Sequence, residues 1–268
     1  MFRVTFLKIL LLLIILIFPT SSFAAQGQLT VVFNNVPLDR GLLPAWGFGC
    51  VIEGFEKTLL FDTGSDGGIL TSNMKRCSID PAGIDSVILS HEHYDHVGGL
   101  EGFLKSNGSR AEVYFPAAFT YEFQERIREW GSRAVGVDKP LEICRNVWST
   151  GELGKGIREQ SLVLETEKGL VIITGCAHPG IVHIVETVAR SFDEDIYLVM
   201  GGFHLTGSGE EKINSVIQGL RELGVLKIAP SHCTGDLAIK KFQSAWGKDF
   251  IQGGCGASIL LDLKNGGL

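Results

Sequence analysis

The sequence predicts an α/β fold in which short buried strands end in polar turns and continue into helices. Two observations carry this prediction. Apolar, β-branched runs such as 87–89 and 196–200 have the composition of buried strands. Segments such as 210–223 place apolar residues at helical spacing and follow such strands along the chain. Because the polar clusters come directly after strands, we expect the functional groups to meet where the strands end.

The individual elements follow from alternation or from apolar runs bounded by glycine, proline or polar residues. The predicted strands are 29–35, 48–53, 58–61, 87–89, 112–115, 161–166, 170–174, 196–200, 227–230 and 257–263. Gly54 and Gly169 mark the turns of two hairpins. The predicted helices are 120–130, which is a short helix or a lid over the site, 181–191, 210–223 and 236–246, and a further apolar-periodic segment opens at Val97.

The first residues are typical of a targeting segment. Arg3 and Lys8 precede the apolar run 9–18, and a small, polar exit ends at Ala24. This pattern predicts a secretory signal peptide, residues 1–24, cleaved near Ala24. The run is short for a membrane span of about 20 residues. We therefore expect an exported protein, periplasmic or secreted, that has one domain over residues 25–268 and no stable membrane span after cleavage.

Charge and cysteine content narrow the class of protein. The formal net charge of −6 argues against a nucleic-acid surface, which needs clustered lysine and arginine. We expect a small-molecule substrate and no nucleic-acid partner. The six cysteines match no compact disulfide framework in their spacing.

One loop concentrates metal-binding side chains. His91, His93, Asp95 and His96 directly follow the predicted strand 87–89. Imidazole and carboxylate groups together suit zinc, iron or manganese. Because one tight loop cannot wrap all four ligands around a single ion, two neighbouring ions are the easier geometry, and such pairs carry out hydrolysis.

Three later histidines share a local context. His178, His204 and His232 each follow a predicted strand within a glycine-rich turn. Glycine permits tight turns and a close approach of the backbone to a ligand. These three are therefore candidate site residues, whereas His183 falls inside a predicted helix and is expected on its solvated face.

The H-x-H-x-D-H loop resembles that of the metallo-β-lactamase superfamily. This resemblance implies a four-layer αββα sandwich with the metals at one edge of the two sheets. Further motifs in the same order resemble the branch of dihydropterin–ribofuranosylaminobenzene phosphate synthases of methanopterin biosynthesis. They are Phe61-Asp62-Thr63-Gly64, Gly175-Cys176-Ala177-His178-Pro179-Gly180, Gly201-Gly202-Phe203-His204-Leu205 and His232-Cys233-Thr234-Gly235.

The resemblance implies a role for each matching residue. His91 and His93 would hold one metal, and Asp95, His96 and His232 would hold the second. Asp62 would anchor the loop through hydrogen bonds. Asp95 could also orient the nucleophile, and His204 could donate a proton to the leaving group.

Two departures from the superfamily pattern affect the ligand set. No histidine lies between His96 and His178, where the superfamily usually supplies one, and Glu159 could replace it with a carboxylate. Cys176 stands where a bridging aspartate is usual, and a thiolate there favours zinc. We expect His178 to complete the shell of the first metal. The expected cofactor is Zn²⁺, as one or two ions, with iron or manganese as alternatives.

These observations predict an exported metal-dependent hydrolase that activates water and acts on a phosphoester, an ester or a related small molecule. Methanopterin precursors are made in the cytosol, so an exported enzyme would not meet the substrate that names the branch. A periplasmic β-lactamase is an alternative. A second alternative is a metal-bearing ligand-binding protein without catalysis, since the substitutions at Glu159 and Cys176 could mark a degraded site.

Overall fold

Two mixed β-sheets face each other in the computed structural model, which describes residues 25–264. The predicted signal peptide, residues 1–24, lies outside the described residues. Within them, no helix combines the length and the apolar character that crossing a membrane requires.

The first sheet comprises β1 (Gln26–Asn34), β2 (Phe48–Glu53), β3 (Leu59–Phe61), β4 (Ser86–Ile88), β5 (Glu112–Pro116), β6 (Ala134–Val137) and β13 (Ser258–Asp262). Its order is β13-β1-β2-β3-β4-β5-β6. Strands β3 to β6 are parallel to one another, and the remaining pairs are antiparallel.

The second sheet comprises β7 (Leu141–Cys144), β8 (Val147–Ser149), β9 (Leu162–Thr166), β10 (Gly169–Thr174), β11 (Ile196–Gly202) and β12 (Lys227–Ser231). Its order is β12-β11-β10-β9-β8-β7. Strands β10, β11 and β12 are parallel, and the others pair as antiparallel hairpins.

Helices cover the outer face of each sheet. They are α1 (Gly67–Arg76), α2 (Tyr94–Val97), α3 (Leu100–Asn107), α4 (Tyr121–Glu129), α5 (Ile181–Ser191), α6 (Glu210–Glu222) and α7 (Asp236–Trp246). Buried residues of α1, α3 and α4 join one apolar cluster with the first sheet, and those of α5, α6 and α7 join another with the second. The predicted α/β class and its αββα layering are confirmed.

The hydrophobic core between the sheets follows the two-residue period of the strands. In β10, Val171 and Ile173 face the opposite sheet, whereas Leu170 and Ile172 face the helices. All four are fully buried. A strand buried on both faces appears as a continuous apolar run, which is why β10 was recognisable. Each such side chain contributes about 1.5–3 kcal/mol to folding.

Helix α1 and strands β6 to β8 were not predicted. The pair Gly67-Gly68 at the start of α1 has low helix propensity. The structure explains these glycines, because a Cβ at Gly67 would lie 2.7 Å from the Cα of Gly102 in α3. The N-cap residue Asp66 compensates by accepting a hydrogen bond from the Ile69 N–H at 2.8 Å. Strands β6 to β8 are three or four residues long, too short for a clear alternation.

The strand ends of both sheets position the polar motifs. The motif residues follow directly after β3, β4, β10, β11 and β12. Strands β3 and β4 are parallel in the first sheet, and β10 to β12 are parallel in the second. Their carboxyl ends therefore meet along one edge of the sandwich. Helix α4, the predicted helix or lid segment, begins beside this edge, because Thr120 donates hydrogen bonds from its N–H and hydroxyl to the Glu92 carboxylate.

Candidate metal centre

Three histidines from the two sheets meet at the strand edge. His91 and His93 come from the loop after β4, and His178 comes from the turn after β10. The Nε2 atom of His91 lies 3.1 Å from Nδ1 of His93 and 3.2 Å from Nε2 of His178. Tetrahedral zinc with bonds of about 2.0–2.1 Å to nitrogen separates its ligand atoms by about 3.3 Å. This three-histidine group therefore has the spacing of a metal shell.

Hydrogen bonds determine which nitrogen of His91 faces this group. The Asp62 carboxylate accepts the Ser90 hydroxyl proton at 2.7 Å and the Ser90 N–H at 2.7 Å. Because that hydroxyl proton is committed to Asp62, the Ser90 oxygen accepts from Nδ1–H of His91 at 2.9 Å. The Nε2 atom of His91 then carries an electron pair directed at His93 and His178. Burial and the nearby histidines lower the pKa of His91 well below its ordinary value, which keeps the ring neutral.

A second group combines a carboxylate, two imidazoles and a thiol, from Asp95, His96, Cys176 and His232. Nε2 of His96 lies 3.2 Å from Sγ of Cys176 and 3.7 Å from Oδ2 of Asp95. Nδ1–H of His96 donates to Asp62 at 2.7 Å, so its Nε2 also presents an electron pair. Burial opposes protonation of His96, yet Asp62 outweighs it and raises the pKa of this ring.

The contact between His232 and Asp95 is the strongest indication of a cation in this group. Its Nδ1–H donates to Oδ1 of Asn35 at 2.7 Å, which leaves Nε2 with an electron pair. That Nε2 is buried, makes no hydrogen bond, and lies 3.2 Å from Oδ2 of Asp95. Two electron pairs facing each other at this distance need a proton or a metal ion between them. This donor set fits a metal ion.

A third group joins Cys176 to His204 and Cys233. Both cysteines are buried, and the His204 ring is more exposed, with its centroid 4.4 Å from that of His178. The Cys233 thiol donates to the Cys176 carbonyl oxygen at 3.7 Å, and the interaction between the two thiols raises the pKa of Cys176 and lowers that of Cys233. The Cys233 sulfur in turn raises the pKa of His204. All six cysteines are free thiols.

Comparison with known proteins identifies the family. The family model described as "Metallo-beta-lactamase superfamily" matches residues 50–193, which is more than half of the chain.

The chain belongs to the metallo-β-lactamase superfamily.

Relatives within this superfamily differ in their named activities. A protein of Methanocaldococcus jannaschii named 7,8-dihydropterin-6-methyl-4-(β-D-ribofuranosyl)-aminobenzene-5'-phosphate synthase is 32% identical, over 77% of this chain and 88% of its own length. The crystal structure of Tm1679, described as a metal-dependent hydrolase of the β-lactamase superfamily, is 27% identical. It covers 87% of this chain and 98% of its own, with a TM-score of 0.74.

The same fold also occurs in a protein with a different named activity. The short form of human tRNase Z is 15% identical, covers 87% of this chain and 98% of its own, and has a TM-score of 0.54. At this identity the likeness shows the fold alone. The metallo-β-lactamase fold by itself therefore does not separate small-molecule substrates from nucleic-acid substrates.

Glu159, expected from the superfamily pattern as a substitute ligand, is placed differently by the structure. It is fully buried, and its carboxylate accepts hydrogen bonds from the N–H groups of Cys176, Ala177 and His178 at 2.9, 2.9 and 2.8 Å. The Thr174 hydroxyl donates a fourth, at 3.0 Å. Glu159 belongs to none of the three groups of metal-binding atoms among residues 25–264. It braces the turn that presents His178, and His178 itself completes the three-histidine group.

Backbone strain is concentrated in the same superfamily motifs. Asp62, Ala177, His204 and His232 have φ values of 57°, 58°, 49° and 52°. They account for four of the seven non-glycine residues with positive φ among those described. Such conformations cost energy and persist where the surrounding structure imposes them, which is common at functional sites.

Two residues that orient the histidines were missed by the sequence analysis. Ser90 transmits the Asp62 hydrogen bond to His91, and Asn35 orients His232. Ser90 could have been recognised because it directly precedes the ligand loop. Asn35 carries no local signal beyond its place just after β1, since its partner His232 is 197 residues away.

Proposed function

We propose that the protein is an exported metal-dependent hydrolase of small esters or phosphoesters, with zinc as the preferred ion. His91, His93 and His178 would hold one ion. Asp95, His96, Cys176 and His232 would hold a second. The observation that carries the proposal is the bare Nε2 of His232 facing the Asp95 carboxylate at 3.2 Å. The three-part targeting pattern in residues 1–24 supports export.

A bound divalent cation would acidify water and polarise the oxygen of the scissile bond. The protein side chains supply the rest of the chemistry. Asp62 fixes the ring orientation of His96 directly and that of His91 through Ser90. The half-buried Asp95 carboxylate would orient the nucleophile.

His204 would donate a proton to the leaving group. Its ring is exposed beside His178, within reach of a molecule at the three-histidine group. Its raised pKa, caused first by Cys233, increases the fraction of protonated imidazolium at neutral pH, as a general acid requires.

The decisive experiment combines metal analysis with activity. We expect His91→Ala and His93→Ala to lose bound zinc and the hydrolysis of generic esters and phosphodiesters together. His183→Ala, which changes a histidine outside all three groups, is the control and should keep the metal content of the wild type. Full metal content and unchanged hydrolysis in the two loop variants would refute the assignment.

A second candidate is group transfer to an acceptor other than water. The methanogen relative supports it, since that protein is named as a synthase. Turnover in ¹⁸O-labelled water separates the two reactions, because only hydrolysis incorporates the label into the product. Rapid cleavage of a chromogenic cephalosporin would favour a β-lactamase instead. Tight small-molecule binding without turnover would favour a binding protein. An N-terminus near residue 25 in the mature protein would support export.

A further inference from the structure

A glycine-rich loop with two cationic side chains borders the metal centre. Residues 154–158 read Gly-Lys-Gly-Ile-Arg, and we refer to them as the anion loop. Its base is closed by two hydrogen bonds between Leu153 and Glu159, at 2.9 and 3.2 Å. Gly154 has a φ of 89°, and a Cβ there would lie 3.0 Å from the Ile157 carbonyl oxygen. The loop is therefore a closed turn that depends on glycine.

The anion loop separates two cavities that each reach a histidine of the three-histidine group. The larger, of about 400 Å³, is lined by Gly154, Lys155, Gly156, Ile157, His178, Pro179 and His183. The smaller, of about 240 Å³, is lined by Glu92, His93, Ala118, Phe119, Gly156, Ile157 and Arg158. Gly156 and Ile157 line both. A molecule seated against the loop would thus lie beside His178 on one side and His93 on the other.

The charges around the loop favour a negative ligand. Among the described residues, no carboxylate lines the larger cavity, although the chain as a whole has a net charge of −6. Over residues 25–264, Lys155 forms no ion pair. The smaller cavity does contain one carboxylate, that of Glu92, which accepts hydrogen bonds from the N–H and hydroxyl of Thr120 at 2.6 and 2.5 Å. Arg158 donates to the Gly154 carbonyl and retains further N–H donors.

The backbone of the loop adds donors. In the part of the chain that the structure describes, the N–H groups of Lys155, Gly156 and Ile157 donate no hydrogen bond. Successive free N–H groups in a turn form a concave site for an anion. Lysine and arginine supply the charge, and the guanidinium can bind two oxygens at once.

We propose that the anion loop binds a phosphate group of the substrate and thereby holds the scissile bond over the metal-binding histidines. This inference rests on the proposed function and specifies its substrate class as small phosphorylated molecules. Glu159 links the two features, because the residue that closes the loop also accepts hydrogen bonds from the turn carrying His178. Glu159 thus connects the anion loop to the turn that presents His178.

The test uses inorganic phosphate with the metal-loaded protein. Binding is measured by calorimetry, and inhibition is measured against the neutral ester 4-nitrophenyl acetate. We expect the double variant Lys155→Gln/Arg158→Gln to weaken phosphate binding and inhibition at least tenfold, with the zinc content of the wild type. Lys168→Gln/Arg190→Gln removes the same charge on the hairpin turn and on α5, and should leave phosphate affinity unchanged. The variant Lys155→Arg should keep it as well.

The results of these measurements distinguish the phosphate-binding proposal from the hydrolase proposal. Equal phosphate affinity in the loop variant and the wild type, or no phosphate binding by the wild type at millimolar concentration, would overturn the loop assignment. An equal loss in the loop variant and in the charge-matched control would also overturn it, because the effect would then come from net charge alone. If the wild type hydrolyses no ester but the loop variant still loses phosphate binding, the hydrolase proposal fails while the anion site stands.

Discussion

Replacing Glu159 with glutamine tests how the metal turn is held. In the wild type, one carboxylate oxygen accepts hydrogen bonds from Thr174, Cys176 and Ala177, and the other accepts from the N–H of His178 at 2.8 Å. An amide keeps only one acceptor oxygen. If the amide oxygen takes the place of the carboxylate oxygen that accepts three hydrogen bonds, the amide NH₂ faces the His178 N–H. That buried N–H then has no acceptor.

The size of the effect follows from two opposing contributions. A buried donor without a partner costs about 1–3 kcal/mol, and the remaining bonds weaken when the acceptor loses its charge. Against this, burial raises the pKa of Glu159 despite the N–H groups around it, so a neutral side chain avoids part of the desolvation penalty. The net loss in unfolding free energy should be about 1–3 kcal/mol. With a urea m-value of about 2–3 kcal/mol/M, the midpoint falls by about 0.3–1.5 M.

The assay is urea unfolding of the chelator-treated protein at pH 7, followed by zinc titration against a competing chromophoric chelator. Because His178 loses the anchor of its N–H, zinc affinity should fall about 10–100-fold. Glu142→Gln, on the exposed part of β7, is the matched control and should change neither quantity. Loss of zinc binding with an unchanged urea midpoint would refute the bracing role and return Glu159 to the ligand role expected from the sequence.

Three further variants probe the same centre. Asp62→Asn removes an acceptor shared by Ser90 and His96, so zinc affinity should fall about 10–100-fold in chelator competition, and unchanged affinity would contradict this. Burial, then His204 and His93, lower the pKa of His178 from its ordinary 6.5 to about 4. The unfolded chain therefore binds the extra proton between these values, and stability is lost as pH falls from 6.5 to 4. Because the His178 ring is half-exposed, solvent screening reduces the effect. In urea unfolding of chelator-treated protein, the unfolding free energy of the wild type should fall by about 1–2 kcal/mol more than that of His178→Gln between pH 6.5 and 4. The same pH dependence in both proteins would contradict this prediction. Cys176→Asp replaces a soft thiolate with a carboxylate, so the ratio of manganese to zinc taken up from an equimolar mixture should rise, and the same ratio as wild type would exclude Cys176 as a ligand.

The elements that the sequence predicted well are those with a strong local signal. Helices α5 and α7 begin and end where their apolar spacing predicted, because their buried residues repeat at helical intervals. Strand β10 was recognisable from its continuous apolar run. Helix α1 was missed because its two initial glycines serve a close approach to α3, a tertiary requirement that contradicts helix propensity.

The residues of the candidate site also fall into those with a local sequence signal and those that depend on tertiary contacts. His91, His93, Asp95 and His96 could be recognised from the chain alone, since they lie on one loop directly after β4. The roles of Glu159 and Asn35 could not. Each depends on a partner from another element, and only the packing of the two sheets brings those partners within hydrogen-bond distance.

The sequence by itself determined the superfamily, because its motifs resemble those of that family, and the resemblance implied the αββα class. Residue identity determined the chemical types of the candidate ligands. The tertiary structure decided the grouping: His178 with His91 and His93, His232 with Asp95, and Glu159 as a brace beneath the turn. The physical reason is that strand order sets which turns share an edge. It also decides which imidazole nitrogens and carboxylate oxygens face one another, as Nε2 of His232 and Oδ2 of Asp95 do at 3.2 Å.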